Sequence, residues 1–166
     1  MTVCRDCGVS VRGTANTCKA CFAKLPSPAS GPADPQGRAQ LREHEVLVLL
    51  RYWLDEPARW TQGARARDRT GAPCEPTAVA AASWSLDGAI AWVFGSRASE
   101  AMTERERSEL RAAIVSRLAH AMGRDGVYPN PTLQGLIHWH ERPERAHGEV
   151  LKVLDRARKD CEVNGG

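Results

Sequence analysis

Long apolar runs are missing from this chain of 166 residues. The longest, 46–50 and 88–95, fall far short of the roughly 20 residues that span a bilayer, so no membrane helix is expected. No charged start followed by an apolar block opens the chain, which predicts no secretory signal and a cytoplasmic location, the host cytoplasm if the protein is viral. Aromatic residues make up only 5% of the chain, and lysine is scarce: 19 of the 23 cations are arginine. Arginine suits bidentate phosphate or carboxylate contacts, although a GC-rich genome would produce the same bias. Enzyme fingerprints are absent as well. The chain has no glycine-rich phosphate loop with lysine, no dinucleotide fingerprint, no Gly-x-Ser-x-Gly elbow and no His-Glu-x-x-His. Nothing in it asks for catalysis, and no small-molecule cofactor is evident.

What the chain does have is a dense cysteine cluster at its start. Cys4/Cys7 and Cys18/Cys21 form two Cys-x-x-Cys pairs separated by ten residues. In a reducing compartment disulfides are rare and metal ligation is the favoured reading. Two such turns can bring four thiolates to the corners of a tetrahedron about 2.3 Å from one zinc ion. Gly8 allows the tight backbone of a knuckle, and the intervening residues suit a short hairpin with Gly13 or Asn16 at its tip. Four thiolate corners leave no open position for water, so one structural Zn2+ is expected. Disulfides and an iron–sulfur centre are the alternatives.

Charge separates this module from the rest. The net charge of +3 lies in the first 26 residues, where Arg5, Arg12, Lys19 and Lys24 face only Asp6; the remainder is neutral. Four thiolates on a divalent ion add about −2 and leave the module near +1. Those four cations are its expected contact face.

Composition marks out four segments: a zinc ribbon at 1–25, a Pro/Gly-rich linker at 26–37, an all-α domain at 38–160 and a flexible tail at 161–166. The linker holds four prolines and no large apolar residue, so it cannot bury surface. The 42% hydrophobic content is enough for a packed core in the remainder. Helical spacing begins at Arg38, with Leu41, Val48 and Trp53 on a broad apolar stripe that Pro57 ends. An almost wholly apolar helix is expected over 76–94 and would be the buried central one. Thr103 reads as the N-cap of a helix carrying Leu110, Ile114, Leu118 and Ala121. A short helix is expected over 132–139. Pro143 can open a last one with Val150, Val153, Leu154 and Ala157 inward. The fold class is therefore mainly α: the ribbon tethered to an orthogonal bundle of about five helices, with no strand demanded outside the cysteine module.

Candidate sites in the body each have a plain structural counterpart. Arg65, Arg67 and Arg69, with Arg59 upstream, could grip phosphates from a loop; the counterpart is a solvated loop in which Asp68 caps a turn or pairs with an arginine. His138 and His140 resemble a metal pair, but i and i+2 residues point to different faces of a helix, so a surface or helix-end role is expected. Glu144 and His147 form a single Glu-x-x-His, which carboxylate-bridged metal sites use in duplicate. Cys74 and Cys161 carry no local mark of a nucleophile. The tryptophans Trp53, Trp60, Trp84, Trp92 and Trp139 read as core, not as base-stacking platforms. Asp87 interrupts an apolar stretch; a buried carboxylate requires a partner, and an arginine of 65–69 is the expected one.

Two resemblances accompany this reading. Cys-x-x-Cys-Gly at 4–8 and the second Cys-x-x-Cys, followed by Lys24, resemble small zinc ribbons that precede DNA-associated domains in phage and bacterial proteins. That implies association with nucleic acid or a nucleic-acid-handling protein; no His-Asn-His nuclease pattern follows. W-x-Q-G-A-x-A-x-D at 60–68, W-x-x-x-G-A-I at 84–90 and H-E-x-P…V-L-x-x-L-D-x-A at 140–157 resemble a helical domain of phages and actinobacteria. This second resemblance implies architecture without an activity. Where that domain carries Trp-Cys and Asn-Asp, this chain has Trp84-Ser85 and His140-Glu141, which argues against thiol or amide chemistry there. Three functions follow: a nucleic-acid-associated accessory protein, a protein-interaction adaptor or inhibitor using the same ribbon, and, last, an enzyme with its site near 60–71 and Asp87.

Overall fold

The computed structural model describes residues 2–3, 10–11, 42–95, 102–123 and 131–164. Near the start, strands β1 (Thr2–Val3) and β2 (Ser10–Val11) pair antiparallel, with Thr2 opposite Val11 and Val3 opposite Ser10. The expected zinc ligands Cys4, Cys7, Cys18 and Cys21, the cations Arg5, Arg12, Lys19 and Lys24, and the linker lie outside the described residues.

Helix α1 (Glu43–Trp53) opens where the Glu45 carboxylate accepts the Arg42 N–H at 2.9 Å, and it buries Val46, Leu47 and Leu50. It ends four residues before Pro57, which instead starts a single 3-10 turn, Pro57–Arg59. Helix α3 (Glu104–Gly123) starts on the expected Thr103. Thr103 Oγ1 accepts the Glu106 N–H at 3.3 Å while the Glu106 carboxylate accepts the Thr103 N–H at 2.6 Å, satisfying two orphan donors reciprocally. In α4 (Leu133–His140) Thr132 plays the same part, accepting the Gly135 N–H at 3.1 Å.

The last helix, α5 (His147–Asn164), opens at His147, beyond Pro143, because Glu149 reaches back to the Ala146 N–H at 2.8 Å. It also runs on through 161–164, where a flexible tail was expected. Its inward residues Val150, Val153, Leu154 and Ala157 are all buried, as their spacing predicts.

The segment 76–94 departs from expectation. It contains strand β5 (Ala81–Trp84) followed by helix α2 (Leu86–Gly95). Ser85 is the reason. Its Oγ accepts the Gly88 N–H at 3.2 Å and its carbonyl accepts the Ala89 N–H at 2.8 Å, so the helix cannot begin earlier. The residues before it pair sideways in a three-stranded antiparallel sheet of order β4-β3-β5, with β3 at Ala66–Asp68 and β4 at Pro73–Cys74. Ala66 stands opposite both Cys74 and Trp84. The domain is thus mainly helical, five helices among the described residues, with a small sheet in place of an all-α body.

Strands this short cannot hold a sheet by themselves. They are carried by the core that α1, α2, α3, α4 and α5 build: α5 packs on α1 and α3, and α2 on α1 and α4. Leu47, Leu50, Leu86, Ile90, Ile114, Leu118, Leu136 and Leu154 are fully buried. Each such side chain contributes about 1.5–3 kcal/mol, far more than any surface ion pair. The tryptophans join this core. Trp84 and Trp139 are buried, and Trp53 packs against Trp84 and Trp92 with ring centroids 5.7 and 4.2 Å apart. Among the described residues no helix is long and apolar enough to cross a membrane.

Candidate functional site

The segments 60–68, 84–90 and 138–147 are far apart in sequence but share one corner of the domain. At its centre the N-terminus of α2 presses on the backbone of residue 65. The Ser85 N–H donates to the Arg65 carbonyl at 3.0 Å, and Ser85 Oγ lies 3.2 Å from the same oxygen. Ser85 Oγ also donates to Asp87 Oδ1 at 2.5 Å, and Arg65 Nε donates to Asp87 Oδ2 at 2.9 Å. Asp87 is buried, so both carboxylate oxygens are served, one by a cation. The arginine expected from the 65–69 loop is Arg65.

A second set of bonds fastens residues 61–63 to the end of α4. Gln62 Nε2 donates to the carbonyls of His140 and Arg142 at 2.6 and 3.0 Å; the first is an acceptor that the helix end leaves open, and the second also accepts the Arg145 N–H at 2.9 Å. The Gly63 N–H donates to the Glu141 carboxylate, with Gly63 in a left-handed conformation at φ +72°. His140 Nε2 donates to the Thr61 carbonyl at 2.9 Å, which fixes the proton on Nε2 in the neutral ring. His147 Nε2 donates to the Leu54 carbonyl at 2.6 Å. Trp60 stands between the two histidines, its ring centroid 5.8 Å from each.

His140 therefore occupies a helix end, as expected, but is buried at 1% exposure instead of facing solvent. Its Nδ1 has no hydrogen-bond partner among the described residues. Burial holds the ring below the ordinary imidazole range, against the opposing pull of the Thr61 carbonyl and the charges of Glu141 and Asp87. His138 is exposed, so the two histidines do not converge on a metal. Glu144 is exposed too, and His147 is committed to Leu54. Among the described residues no group of three or more His, Cys, Asp or Glu is placed to hold a metal ion.

The arginines are only partly available. Arg67 spends its guanidinium inside the loop, on Thr61 Oγ1 at 3.1 Å and the carbonyls of Gly71 and Gln62 at 2.9 and 3.3 Å. Arg65 is half exposed but tied to Asp87. Arg59 is buried beside the rings of Tyr52 and Trp53, 3.4 Å from Glu56. Arg69 is exposed at the tip of the β3–β4 hairpin. Asp68 caps that tip: its Oδ1 accepts the Thr70 N–H and hydroxyl and the Ala72 N–H, at 2.8, 2.6 and 3.0 Å. The Thr70 hydroxyl leads in lowering its pKa. Cys74 and Cys161 are half-buried free thiols, and burial raises the pKa of both, the opposite of an activated nucleophile.

Chemically, the corner is a fastening. Its hydroxyl, amide and carboxylate groups are directed at backbone and side-chain partners within the domain. Thr61 and Gln62 act in it without having been singled out from sequence, while His147 was considered only as half of a Glu-x-x-His and Ser85 only as a departure from the resembling domain. A signal existed for Ser85, a serine just before an apolar helical run. None existed for Gln62, whose partners lie 78 and 80 residues away.

No curated protein and no solved structure matches the chain. The family that does match, over residues 38–160, includes all three segments of the corner. By that match the chain belongs to DUF6197, a family of unknown function.

Proposed function

We propose that this protein is a two-part accessory protein of phage or actinobacterial type. An N-terminal Cys4 zinc module binds nucleic acid or a nucleic-acid-handling complex, and the DUF6197 domain is the body that carries it. The observation behind this reading is the spacing of Cys4, Cys7, Cys18 and Cys21, two knuckles ten residues apart. β1 and β2, on either side of Cys4 and Cys7 in sequence, pair antiparallel, which agrees with this reading. The zinc ion, when bound, supplies a cross-link that folds a segment too small to build a core. Arg5, Arg12, Lys19 and Lys24 offer cations to phosphate, with Arg69 and the half-exposed Arg65 as secondary candidates on the body.

The second reading is a protein-interaction adaptor or inhibitor that docks a host or viral protein through the same module. The internal commitment of Arg67 favours it, as does the small residual charge of a zinc-loaded Cys4 module, about +1. Salt separates the two readings. Zinc-loaded full-length protein is titrated with labelled duplex and single-stranded DNA and RNA at two salt concentrations, beside a Cys4→Ala/Cys7→Ala variant. Binding that weakens steeply with salt and is lost in the variant supports nucleic-acid contact. No binding to any of the four rejects it in favour of a protein partner.

A further inference from the structure

Five hydrogen bonds join the connection 54–63 to the corner 140–147: His140 to Thr61, Gln62 to His140 and Arg142, Gly63 to Glu141, and His147 to Leu54. One member of this set is poised to fail on protonation. His140 is buried, its Nε2–H is already used, and its Nδ1 faces no partner among the described residues. A proton arriving at Nδ1 creates a buried cation with an N–H that has no acceptor, an arrangement costlier than the neutral ring. The charged groups around the ring do not remove that cost. Asp87 on α2 is already paired with Arg65, Glu141 is bonded to the Gly63 N–H, and Arg145 repels the imidazolium. His147, across Trp60, is half-buried, and its Nδ1 is not stranded in this way.

We propose that His140 makes this corner an acid-released latch, in which protonation frees the 60–63 segment from the end of α4 before the domain unfolds. Local release is the cheaper route because His140 is the last residue of an eight-residue helix, whereas the α1 and α5 core is fully buried. Release also loosens the Arg67 side chain, two of whose acceptors are Thr61 and Gln62. The hairpin 66–74 would then present more cationic charge in acid than at neutral pH. This inference stands whether or not the zinc module binds nucleic acid.

The test is amide hydrogen exchange of the full chain at pH 7.5 and 5.5, corrected for the intrinsic rate. The probes are the N–H groups of Gly63 and Glu141, with those of Leu50 and Leu154 as core references. If the released state titrates at the ordinary histidine value of about 6.5, the opening constant at Gly63 and Glu141 rises about tenfold between the two pH values. That opening costs less than the opening of the core references. In His140→Gln, which keeps a donor for Thr61 but does not titrate, and in His140→Phe, the tenfold rise disappears. Three results overturn the latch: no pH effect at these amides, exchange at the same free energy as the core, or an unchanged rise in His140→Gln.

Discussion

The carbonyl oxygen of Arg65 occupies the space where a side chain on Gly88 would begin: a Cβ there would stand 1.8 Å from it. The contact is backbone against backbone, so neither side can swing away. It couples the start of α2 to the loop before β3, and with it the fastening of the whole corner.

Gly88→Ala is therefore expected to force the loop and helix apart, at about 2–3 kcal/mol, the upper part of the range for overpacking a core. Chemical denaturation measures it. A loss below about 0.5 kcal/mol would mean that the contact is loose.

The Arg65–Asp87 pair should respond asymmetrically. Asp87 is buried and Arg65 half exposed, so Asp87→Asn lets the arginine return to water and costs about 1 kcal/mol, discounted for screening. Arg65→Met instead strands a buried carboxylate and costs about 2–3 kcal/mol. Equal losses in urea melts would show that Asp87 is better solvated than its burial implies. A catalytic Asp87 would behave differently again, with Asn leaving stability untouched.

Asp68 sets an acid limit on the β3–β4 hairpin. Its pKa is lowered in the folded chain, first by the Thr70 hydroxyl. Its contribution is thus complete above the ordinary aspartate value of about 3.9 and is lost as pH falls through the lower folded value. The difference in Tm between wild type and Asp68→Asn should shrink from pH 6 to pH 3. A constant difference across that range would remove Asp68 from the acid response.

Metal analysis should find one zinc per chain, released by chelator or by Cys4→Ala/Cys7→Ala. The far-UV helical signal should remain in the variant, because the five helices are held by their own buried core. Loss of that signal would show that folding of the body depends on the cysteine module.

Much of the helical framework was legible because its causes are local. Thr103 and Thr132 cap within three residues, and Val150, Val153, Leu154 and Ala157 repeat at helical spacing. The family's three segments were also visible as segments. What they do was not, since a Gln62 side chain gives no sign of carbonyls far along the chain.

Residues 76–94 mark the boundary between the two kinds of information. Alanine favours helix, and a run such as 78–82 reads as one on propensity alone. The chain instead pairs Ala81–Trp84 with residues 66–68, because Ser85 caps the helix late and the strand gains partners there. The sequence by itself determined the cysteine spacing, the charge segregation, the helix starts set by Thr103 and Thr132 and the inward face of α5. Only the tertiary structure decided the sheet, the burial of His140 and which arginine of 65–69 pairs with Asp87, because each depends on groups brought together from separate segments whose contact no local propensity encodes.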